Sequence, residues 1–157
     1  MQIALVRIDD RLIHGQVVVG WIPQLQVEAV VVAADAADAT HTALMQMAMP
    51  EGVELMVLSV GEAARRLQDD DQRRVLVLTP GPREVLRLLE HGVRFDSVNV
   101  GGLHYTAGRV QLGKAIFLSP EDRDALRAIS RRRVALEGRA LPGDAAIDVL
   151  EIIGGEI

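Results

Sequence analysis

Short runs of aliphatic and β-branched residues recur along this chain, and segments of helical periodicity separate them. The clearest run, at residues 28–34, contains three consecutive valines. Continuous apolar runs of this kind are typical of strands buried on both faces of a sheet, because an exposed face would require alternating polar residues. A sheet covered on both faces needs helices on both sides. The pattern therefore favours an α/β fold in three layers with a mainly parallel sheet.

The same pattern predicts about seven strands and six helices along the chain. The predicted strands are residues 2–6, 28–34, 53–58, 74–78, 95–100, 115–118 and 134–139. The predicted helices are residues 16–25, 36–49, 59–67, 83–91, 119–131 and 145–153. We expect an antiparallel edge, and we expect the last strand at an edge because its outward residues are charged. No repeat or linker interrupts the pattern, which predicts one domain over residues 1–157.

Composition excludes several classes of protein. Apolar residues make up 49% of the chain, which excludes disorder, and the net charge of −5 argues against a general nucleic-acid or anionic-membrane binder. The chain has no cysteine, hence no disulfide framework and no thiolate metal site. Adjacent carboxylates at residues 69–71 are interpreted as a solvated turn rather than a metal site. With no signal peptide or long apolar span in the sequence, we expect a soluble, cytoplasmic protein.

The densest group of charges, residues 7–16, directly follows the first predicted strand and reads Arg-Ile-Asp-Asp-Arg-Leu-Ile-His-Gly-Gln. Neutral imidazole is available near neutral pH, and the guanidinium groups of Arg7 and Arg11 favour the neutral form of His14. Guanidinium also binds phosphate in a bidentate manner, and a helix that begins near Gly15 would add backbone N–H groups. These residue types indicate either a histidine that accepts and passes on a phosphoryl group or a charged turn whose groups pair with one another.

Two further segments are expected beside this histidine. In an open parallel sheet the ligand site lies outside the carboxyl ends of the strands, where the strand order changes direction. This rule brings residues 7–14, 79–83 and 99–111 to one edge. The last of these segments contains Gly101 and Gly102, and paired glycines allow positive φ and close approach of the backbone to an anion. A tight turn would need the same two residues.

Residues 7–16 resemble the signature of the IIB component of the mannose/fructose/sorbose family of the bacterial phosphoenolpyruvate-dependent sugar phosphotransferase system (PTS). Residues 97–105, Ser-Val-Asn-Val-Gly-Gly-Leu-His-Tyr, with Gly108 and Arg109 beyond them, resemble a second segment of that family, Val-Asn-x-Gly-Gly. The resemblance covers most of the chain, closely at residues 5–21 and 96–112 and loosely elsewhere. Both motifs occur in the order and at the strand ends that the fold prediction requires.

The resemblance implies a protein-histidine phosphotransferase in which His14 is the phosphorylated residue. Arg11 and Arg7 would then neutralise the transferring phosphoryl oxygens, and Asp9 or Asp10 would orient the imidazole. The positions implied to bind phosphate or to form the surrounding loops are Gly15, Gln16, Thr79, Gly101 and Gly102. His104 lies in the glycine loop and could face His14.

The resemblance also implies partners. A IIA-type phosphocarrier would donate the phosphoryl group, a sugar held by membrane IIC/IID permease components would accept it, and this chain would be peripheral to that permease. No metal or nucleotide is needed, because the phosphohistidine of the donor is already an activated P–N bond. The sequence leaves a homodimer open.

Two alternatives remain at the level of the sequence. One is a regulatory IIB-like phosphoprotein without a dedicated permease, which the neighbouring genes would distinguish. The other is an α/β protein that binds a phosphometabolite without forming a covalent bond. The second alternative is less favoured, because the first strand-to-helix turn has neither a G-x-G-x-x-G nor a P-loop pattern.

Overall fold

Strands and helices alternate in the structure, a computed structural model that describes residues 1–104, 109–111 and 116–154. The strands are β1 (Gln2–Asp9), β2 (Ala29–Ala33), β3 (Glu54–Leu58), β4 (Arg74–Thr79), β5 (Ser97–Gly102), β6 (Val110–Gln111), β7 (Phe117–Leu118), β8 (Ala135–Gly138) and β9 (Ile147–Asp148). The helices are α1 (Ile22–Leu25), α2 (Ala39–Ala48), α3 (Val60–Leu67), α4 (Pro82–Glu90), α5 (Pro120–Arg131) and α6 (Val149–Gly154). A π-helical segment (Gln16–Trp21) directly precedes α1.

Seven of these strands form one sheet in the order β3-β2-β4-β1-β5-β8-β9. All neighbouring pairs are parallel except β8 with β9, which confirms the predicted mainly parallel sheet with an antiparallel edge. Because β1 lies between β4 and β5, the carboxyl ends of these three strands meet at one edge. Ile8 is paired with Thr79 there, and Asp9 is paired with Gly102. The three segments expected at this edge are therefore neighbours in the fold.

The two faces of the sheet are buried against different helices. On one face, alternate strand residues such as Val6 and Ile8 pack in a core with α3, α4, α5 and α6. On the other face, Val30 and Leu76 pack with the π-helical segment, α1 and α2. Side chains alternate along a strand, so Arg7 and Asp9 point away from the first core. Both polar side chains are nevertheless fully buried.

The segment after the first loop is not the regular α-helix that the sequence predicts over residues 16–25. It is π-helical up to Trp21, and the backbone N–H of Ile22 reaches back to the carbonyl of Val17. Pro23 has no N–H to continue the α-helical ladder at this point. A π-helical turn often marks a functional site, and this one begins two residues after His14.

A second, smaller sheet lies between β5 and α5 in chain order. Its strands β6 and β7 pair with each other in an antiparallel manner and form a separate two-stranded sheet. The strand predicted at residues 115–118 is thus outside the main sheet, and its first residue, Ala115, lies outside the described residues. The apolar residues of a short strand do not show whether it joins the main sheet or a separate two-stranded sheet.

The C-terminal region supplies the seventh sheet strand instead. Residues 145–153 were predicted as one helix, but Ile147–Asp148 pair with β8, and α6 begins only at Val149. The strand at residues 134–139 was predicted to lie at an edge of the sheet. This prediction is wrong, because β9 pairs with β8 on its outer side. The partner strand β9 has only two residues, and a strand this short gives no periodic signal in the sequence. In the part of the chain that the structure describes, no helix is long and apolar enough to cross a membrane.

Replacement of Leu88 by alanine tests the larger core. Leu88 is fully buried in α4, and the Leu88→Ala variant is expected to lose about 2–5 kcal/mol of unfolding free energy through lost burial and a residual cavity. Urea denaturation measures the loss. Leu44 on α2 is 60% exposed, so Leu44→Ala should change the unfolding free energy by less than about 0.5 kcal/mol. Equal losses in both variants would contradict this assignment of the core.

Candidate functional site

His14 lies in the loop between β1 and the π-helical segment. The loop turns tightly, because the Leu12 N–H donates to the carbonyl of Asp9 at 3.0 Å and Leu12 has a φ of 58°. The apolar side chain of Leu12 is buried in the second core, which anchors this turn. The carbonyl of His14 accepts from the N–H groups of Val17 and Val18 and so begins the helical segment. The imidazole is 14% exposed at the edge of the sheet.

A carboxylate fixes the orientation and the tautomer of this imidazole. The Nε2 atom of His14 lies 2.7 Å from Oδ2 of Asp9. An ionised carboxylate only accepts hydrogen bonds, so Nε2 carries the proton and donates it to Asp9. In the neutral ring the lone pair is then on Nδ1. The geometry therefore produces an imidazole whose Nδ1 is the nucleophilic atom.

Several donors hold Asp9 in its ionised form although it is fully buried. Burial alone would raise the pKa of this carboxyl, but the hydrogen bond and positive charge of His14, the N–H of Arg11 and the charge of Arg7 outweigh it. The pKa of Asp9 is consequently below its ordinary value. Its Oδ1 accepts from the Arg11 N–H at 3.0 Å, and its Oδ2 accepts from Arg7 Nη2 at 3.1 Å.

Arg7 is buried behind Asp9 and does not reach a ligand, which corrects the expectation that it neutralises phosphoryl oxygens. Besides Asp9, its guanidinium donates to Asn99 Oδ1 at 2.5 Å and to the Arg139 carbonyl at 2.9 Å. The centre of the guanidinium also lies 5.1 Å from the centroid of the Trp21 ring, a cation–π distance. Burial lowers the pKa of Arg7 against the pull of Asp9, but a guanidinium remains charged in proteins. Arg7 acts on the carboxylate that orients His14.

Gly101 provides the space for this buried guanidinium. A Cβ atom at Gly101 would lie 1.9 Å from Cζ of Arg7, a distance that no real contact allows. Gly101 and Gly102 both lie in β5, and neither has a positive φ. The close approach expected at the glycine pair therefore exists, but the approaching group at Gly101 is Arg7 and not a bound anion.

Arg11 is the arginine that faces solvent beside His14. Its side chain is 46% exposed, its Nη2 donates to Gln16 Oε1 at 3.3 Å, and its Nε lies 4.0 Å from Asp9 Oδ1. Gly15 is exposed with open space around its Cα atom. The structure thus brings together His14, Arg11, Gly15 and Gln16 as the sequence predicts.

Asp10 does not contact His14, which corrects the expectation that it shares the orienting role with Asp9. Its Oδ1 lies 2.6 Å from Nδ1 of His104 instead. Its Oδ2 accepts from the His104 N–H at 2.7 Å and from Arg109 Nη1 at 3.2 Å. Arg109 also pairs with Asp122 at 3.3 Å. Successive strand residues point to opposite faces, which is why Asp9 and Asp10 serve different partners.

Two other predicted positions border the site. Gly102 lies between the two carboxylate–imidazole pairs, since a Cβ there would meet His104 Cε1 at 3.2 Å and Asp9 Oδ1 at 3.3 Å. Thr79 is fully buried, and its hydroxyl donates to the Gly81 carbonyl at 3.0 Å. Thr79 therefore stabilises the turn after β4. The last predicted motif position, Gly108, lies outside the described residues, as does Tyr105.

Sequence reasoning assigned no site role to three residues that support the site, Asn99, Arg139 and Trp21. Asn99 is a polar residue between two valines of β5, which was an available signal. Trp21 contacts Arg7, and its indole N–H donates to the Ala140 carbonyl at 2.8 Å. Arg139 contributes only its backbone carbonyl, which no sequence signal indicates. Among the residues that the structure describes, no cluster of His, Asp and Glu could hold a metal ion.

A mostly buried histidine with a fixed tautomer, at the carboxyl end of a central parallel strand and beside an exposed arginine, defines an α/β protein equipped for covalent phosphoryl chemistry. The family model described as "PTS system sorbose subfamily IIB component" matches residues 3–156. The chain belongs to this family.

Known relatives agree with this assignment. The chain is 33% identical to the sorbose-specific EIIB component of Klebsiella pneumoniae, with 98% of the chain and 96% of that protein covered. It is 33% identical to the fructose-specific EIIB component of Bacillus subtilis, again with 98% and 96% covered. It is 35% identical to the mannose-specific EIIAB component of Escherichia coli K12. That match covers 98% of the chain but only 49% of the E. coli protein. The chain thus spans about half the length of the mannose-specific relatives.

Solved structures show the same fold. The IIBSor domain of the sorbose permease from Klebsiella pneumoniae superposes with a TM-score of 0.95 at 32% identity, covering 100% of the chain and 99% of that domain. The manxB structure from Thermoanaerobacter tengcongensis superposes with a TM-score of 0.89 at 25% identity, covering 99% and 97%.

Replacement of Gly101 by alanine tests whether Arg7 needs this groove. The added methyl group would displace the buried guanidinium, and we expect Gly101→Ala to lose about 1–3 kcal/mol of unfolding free energy. Gly61 in α3 has open space at its Cβ position, so Gly61→Ala should be neutral or stabilising by about 0.5–1 kcal/mol. Denaturation followed by the fluorescence of Trp21, the one tryptophan of the chain, measures both variants. A tolerated Gly101→Ala with unchanged emission would contradict the packing.

Replacement of Asp9 by asparagine tests the ionised state of this carboxyl. The pKa of Asp9 is lowered in the folded protein, so its charge stabilises the fold above the ordinary Asp pKa of about 3.9. That contribution is lost as the pH falls through the lower folded-state pKa.

Asp9→Asn also leaves Arg7 buried without its partner, which we expect to cost about 3–5 kcal/mol near neutral pH. The difference in unfolding free energy between wild type and Asp9→Asn should therefore shrink as the pH falls below about 4. Urea titrations at a series of pH values measure this difference. A difference that stays constant down to strongly acidic pH would show that Asp9 is not an ionised partner in the fold.

Proposed function

We propose that this chain is a phosphocarrier of a sugar phosphotransferase system and that His14 carries the phosphoryl group. The observation that carries the proposal is the hydrogen bond of 2.7 Å between His14 Nε2 and Asp9, which leaves Nδ1 as the nucleophile. Membership of the sorbose-type IIB family supports it. We assign the whole of residues 1–157 to one IIB domain.

In the first step, the phosphorus of a phosphohistidine on a IIA-type partner forms a bond with Nδ1 of His14, and its bond to the donor nitrogen breaks. The donor imidazole leaves as a neutral ring. The His14 ring gains positive character as the P–N bond forms, and the carboxylate of Asp9 stabilises that charge through Nε2–H. No proton has to be transferred, because Nε2 already carries one.

Arg11 supplies the positive charge that faces the phosphoryl oxygens. Its guanidinium is exposed, donates one hydrogen bond to Gln16 Oε1 and lies 4.0 Å from an Asp9 oxygen, which leaves further N–H groups for an incoming phosphoryl group. Gly15, the exposed N-cap residue of the π-helical segment, lies next to His14 and provides a backbone N–H as a second donor. Positioning and charge neutralisation are the main demands of phosphoryl transfer.

In the second step, a sugar hydroxyl attacks the phosphorus, the bond to His14 Nδ1 breaks and the hydroxyl proton passes to a base outside this chain. The acceptor sugar is held by membrane IIC/IID permease components, and this chain binds there as a peripheral cytoplasmic subunit. The relatives are named for sorbose, fructose and mannose, and so the proposal is for a sugar as a class.

The rim around His14 is suited to transient contact with another protein. Val19, in the π-helical segment, is 76% exposed. Gly20 beside it packs closely against Leu141, another partly exposed apolar side chain. An apolar contact next to an exposed arginine gives a docking surface with both hydrophobic and charged character. A donor that must come and go fits such a surface better than a deep pocket does.

The experiment that tests the proposal is phosphorylation of the purified chain. Incubation with phosphoenolpyruvate, the general phosphotransferase proteins and a IIA-type donor should add one phosphoryl group to the intact mass. The adduct should be acid-labile and base-stable, and NMR of ¹⁵N-labelled histidine should place it on Nδ1 of His14. Tight binding of a free phosphometabolite without an adduct would favour the non-covalent alternative and overturn the proposal.

His14→Ala should abolish this phosphorylation, whereas the matched control His41→Ala, which alters an exposed histidine on α2, should leave it unchanged. Arg11→Ala should slow phosphorylation by about tenfold to a hundredfold, because it removes a charge-assisted contact in the transition state. Rapid-quench kinetics measure the rates, and circular dichroism checks that each variant is folded. Full phosphorylation of His14→Ala would exclude His14 as the carrier.

A further inference from the structure

We infer that Trp21 is a positioning residue for phosphoryl transfer at His14, which it orients through Arg7 and Asp9 without touching the phosphoryl group. The inference deepens the proposed function and rests on it. Trp21 ends the π-helical segment, and its side chain is only 5% exposed. Within the part of the chain that the structure describes, it belongs to neither hydrophobic core. Its burial serves another purpose, and both of its polar contacts lead to the charge pair behind His14.

The first contact is between the indole ring and the guanidinium of Arg7. The Cζ atom of Arg7 lies 5.1 Å from the centroid of the Trp21 ring. A Cβ atom on Gly101 would lie 1.9 Å from Cζ and 2.2 and 2.3 Å from Nη1 and Nη2, which places Gly101 over a face of the guanidinium. A cation–π contact is stronger where water is excluded, as it is around Arg7. The indole therefore limits where this guanidinium can lie.

The position of Arg7 matters for His14 because both side chains donate to the same carboxylate oxygen. Nη2 of Arg7 lies 3.1 Å from Oδ2 of Asp9, and Nε2 of His14 lies 2.7 Å from that oxygen. A shift of the guanidinium would rotate the carboxylate or change the negative charge that Oδ2 offers to the imidazole. The hydrogen bond that fixes the His14 tautomer is thus sensitive to the placement of Arg7.

The second contact holds the backbone that accepts from Arg7. The indole N–H of Trp21 donates to the carbonyl of Ala140 at 2.8 Å. The preceding carbonyl, that of Arg139, accepts from Nη1 of Arg7 at 2.9 Å and from Nδ2 of Asn99 at 3.3 Å. Because the two carbonyls belong to consecutive residues, the bond to Ala140 fixes the place of the other acceptor. Trp21 therefore holds Arg7 directly through its ring and indirectly through this backbone.

The same backbone continues into the apolar rim beside the site. Leu141 is 39% exposed, and a Cβ atom on Gly20 would lie 2.9 Å from its Cδ2. Val19, which is 76% exposed, lies on the same helical segment as Trp21. A protein that docks on Val19 and Leu141 contacts the two segments that Trp21 joins. A rate measured with a partner protein would therefore mix docking with positioning.

Two substitutions of Trp21 separate positioning from packing. Trp21→Leu removes the ring face and the N–H, whereas Trp21→Phe keeps an aromatic face and removes only the N–H. The matched control is Ile22→Ala, because Ile22 is 4% exposed and packs in the second core. This control loses packing at the neighbouring position. Phosphoramidate, a small P–N donor, phosphorylates histidine without any partner protein and makes the assay independent of docking.

We expect Trp21→Leu to lower the maximal rate of His14 phosphorylation by about tenfold and to change the KM for phosphoramidate by less than about twofold. Trp21→Phe should lie between wild type and Trp21→Leu, with a loss of about threefold. Ile22→Ala should be less stable but should keep the wild-type rate. Mass spectrometry of the peptide that carries His14 measures the rates, and circular dichroism checks the folding of each variant.

NMR of ¹⁵N-labelled histidine tests the same inference without phosphorylation. A hydrogen bond to a carboxylate protects an imidazole N–H from exchange with water. The Nε2–H proton of His14 should be observed in wild type and in Ile22→Ala, and it should be lost to exchange in Trp21→Leu.

A folded Trp21→Leu with the wild-type rate and a protected Nε2–H would overturn the inference. An equal rate loss in Ile22→Ala, or a loss confined to KM, would overturn it as well. If Trp21→Leu does not fold, Trp21→Phe decides, and a wild-type rate in that variant would then count against the inference. Failure of the wild type to form any phosphohistidine would instead overturn the proposed function, while the Nε2–H comparison would still test the role of Trp21.

Discussion

The buried ion pair between Arg7 and Asp9 is the interaction on which the site depends. A guanidinium and a carboxylate without access to water need further hydrogen bonds, and here Asn99 and the Arg139 carbonyl also accept from Arg7, whose Nε alone has no partner among the described residues. The carboxylate then has one oxygen in a fixed place for the His14 ring. The tautomer of His14 is therefore a consequence of a charge pair on the buried side of the sheet.

The glycine pair in β5 is best understood through the same interaction. Gly101 makes room for the guanidinium of Arg7, and Gly102 separates the His14 pair from the His104 pair. Both glycines adopt ordinary strand conformations, so their value lies in a missing side chain and not in backbone freedom. A motif with the appearance of a phosphate loop is thus a packing motif for charged side chains. This distinction decides what a substitution there would affect.

Local pattern predicted much of the fold because each strand is a run of apolar residues and each helix has its own signals. The parallel order also followed from the alternation of strands with helices. The errors fall where a strand is very short, as in β9, whose two residues complete the sheet by pairing with β8. The π-helical segment was missed because the sequence predicts a helix after residue 15 but does not report the hydrogen-bond spacing within it. For the site, the sequence predicted one cluster at residues 7–16, and the structure adds which side chain contacts which.

The sequence by itself determined the parallel α/β sheet, because β-branched runs can be satisfied only with both faces covered. It also placed His14 and Arg11 together after β1, since they are three residues apart. Only the tertiary structure decided that Asp9 and not Asp10 holds His14, that Arg7 is buried and Arg11 exposed, and that His104 faces this edge. The physical reason is that these assignments depend on which side of a strand each side chain leaves. They also depend on the partners that lie on that side, which are Asn99 in β5, His104 after β5 and the Arg139 carbonyl after β8.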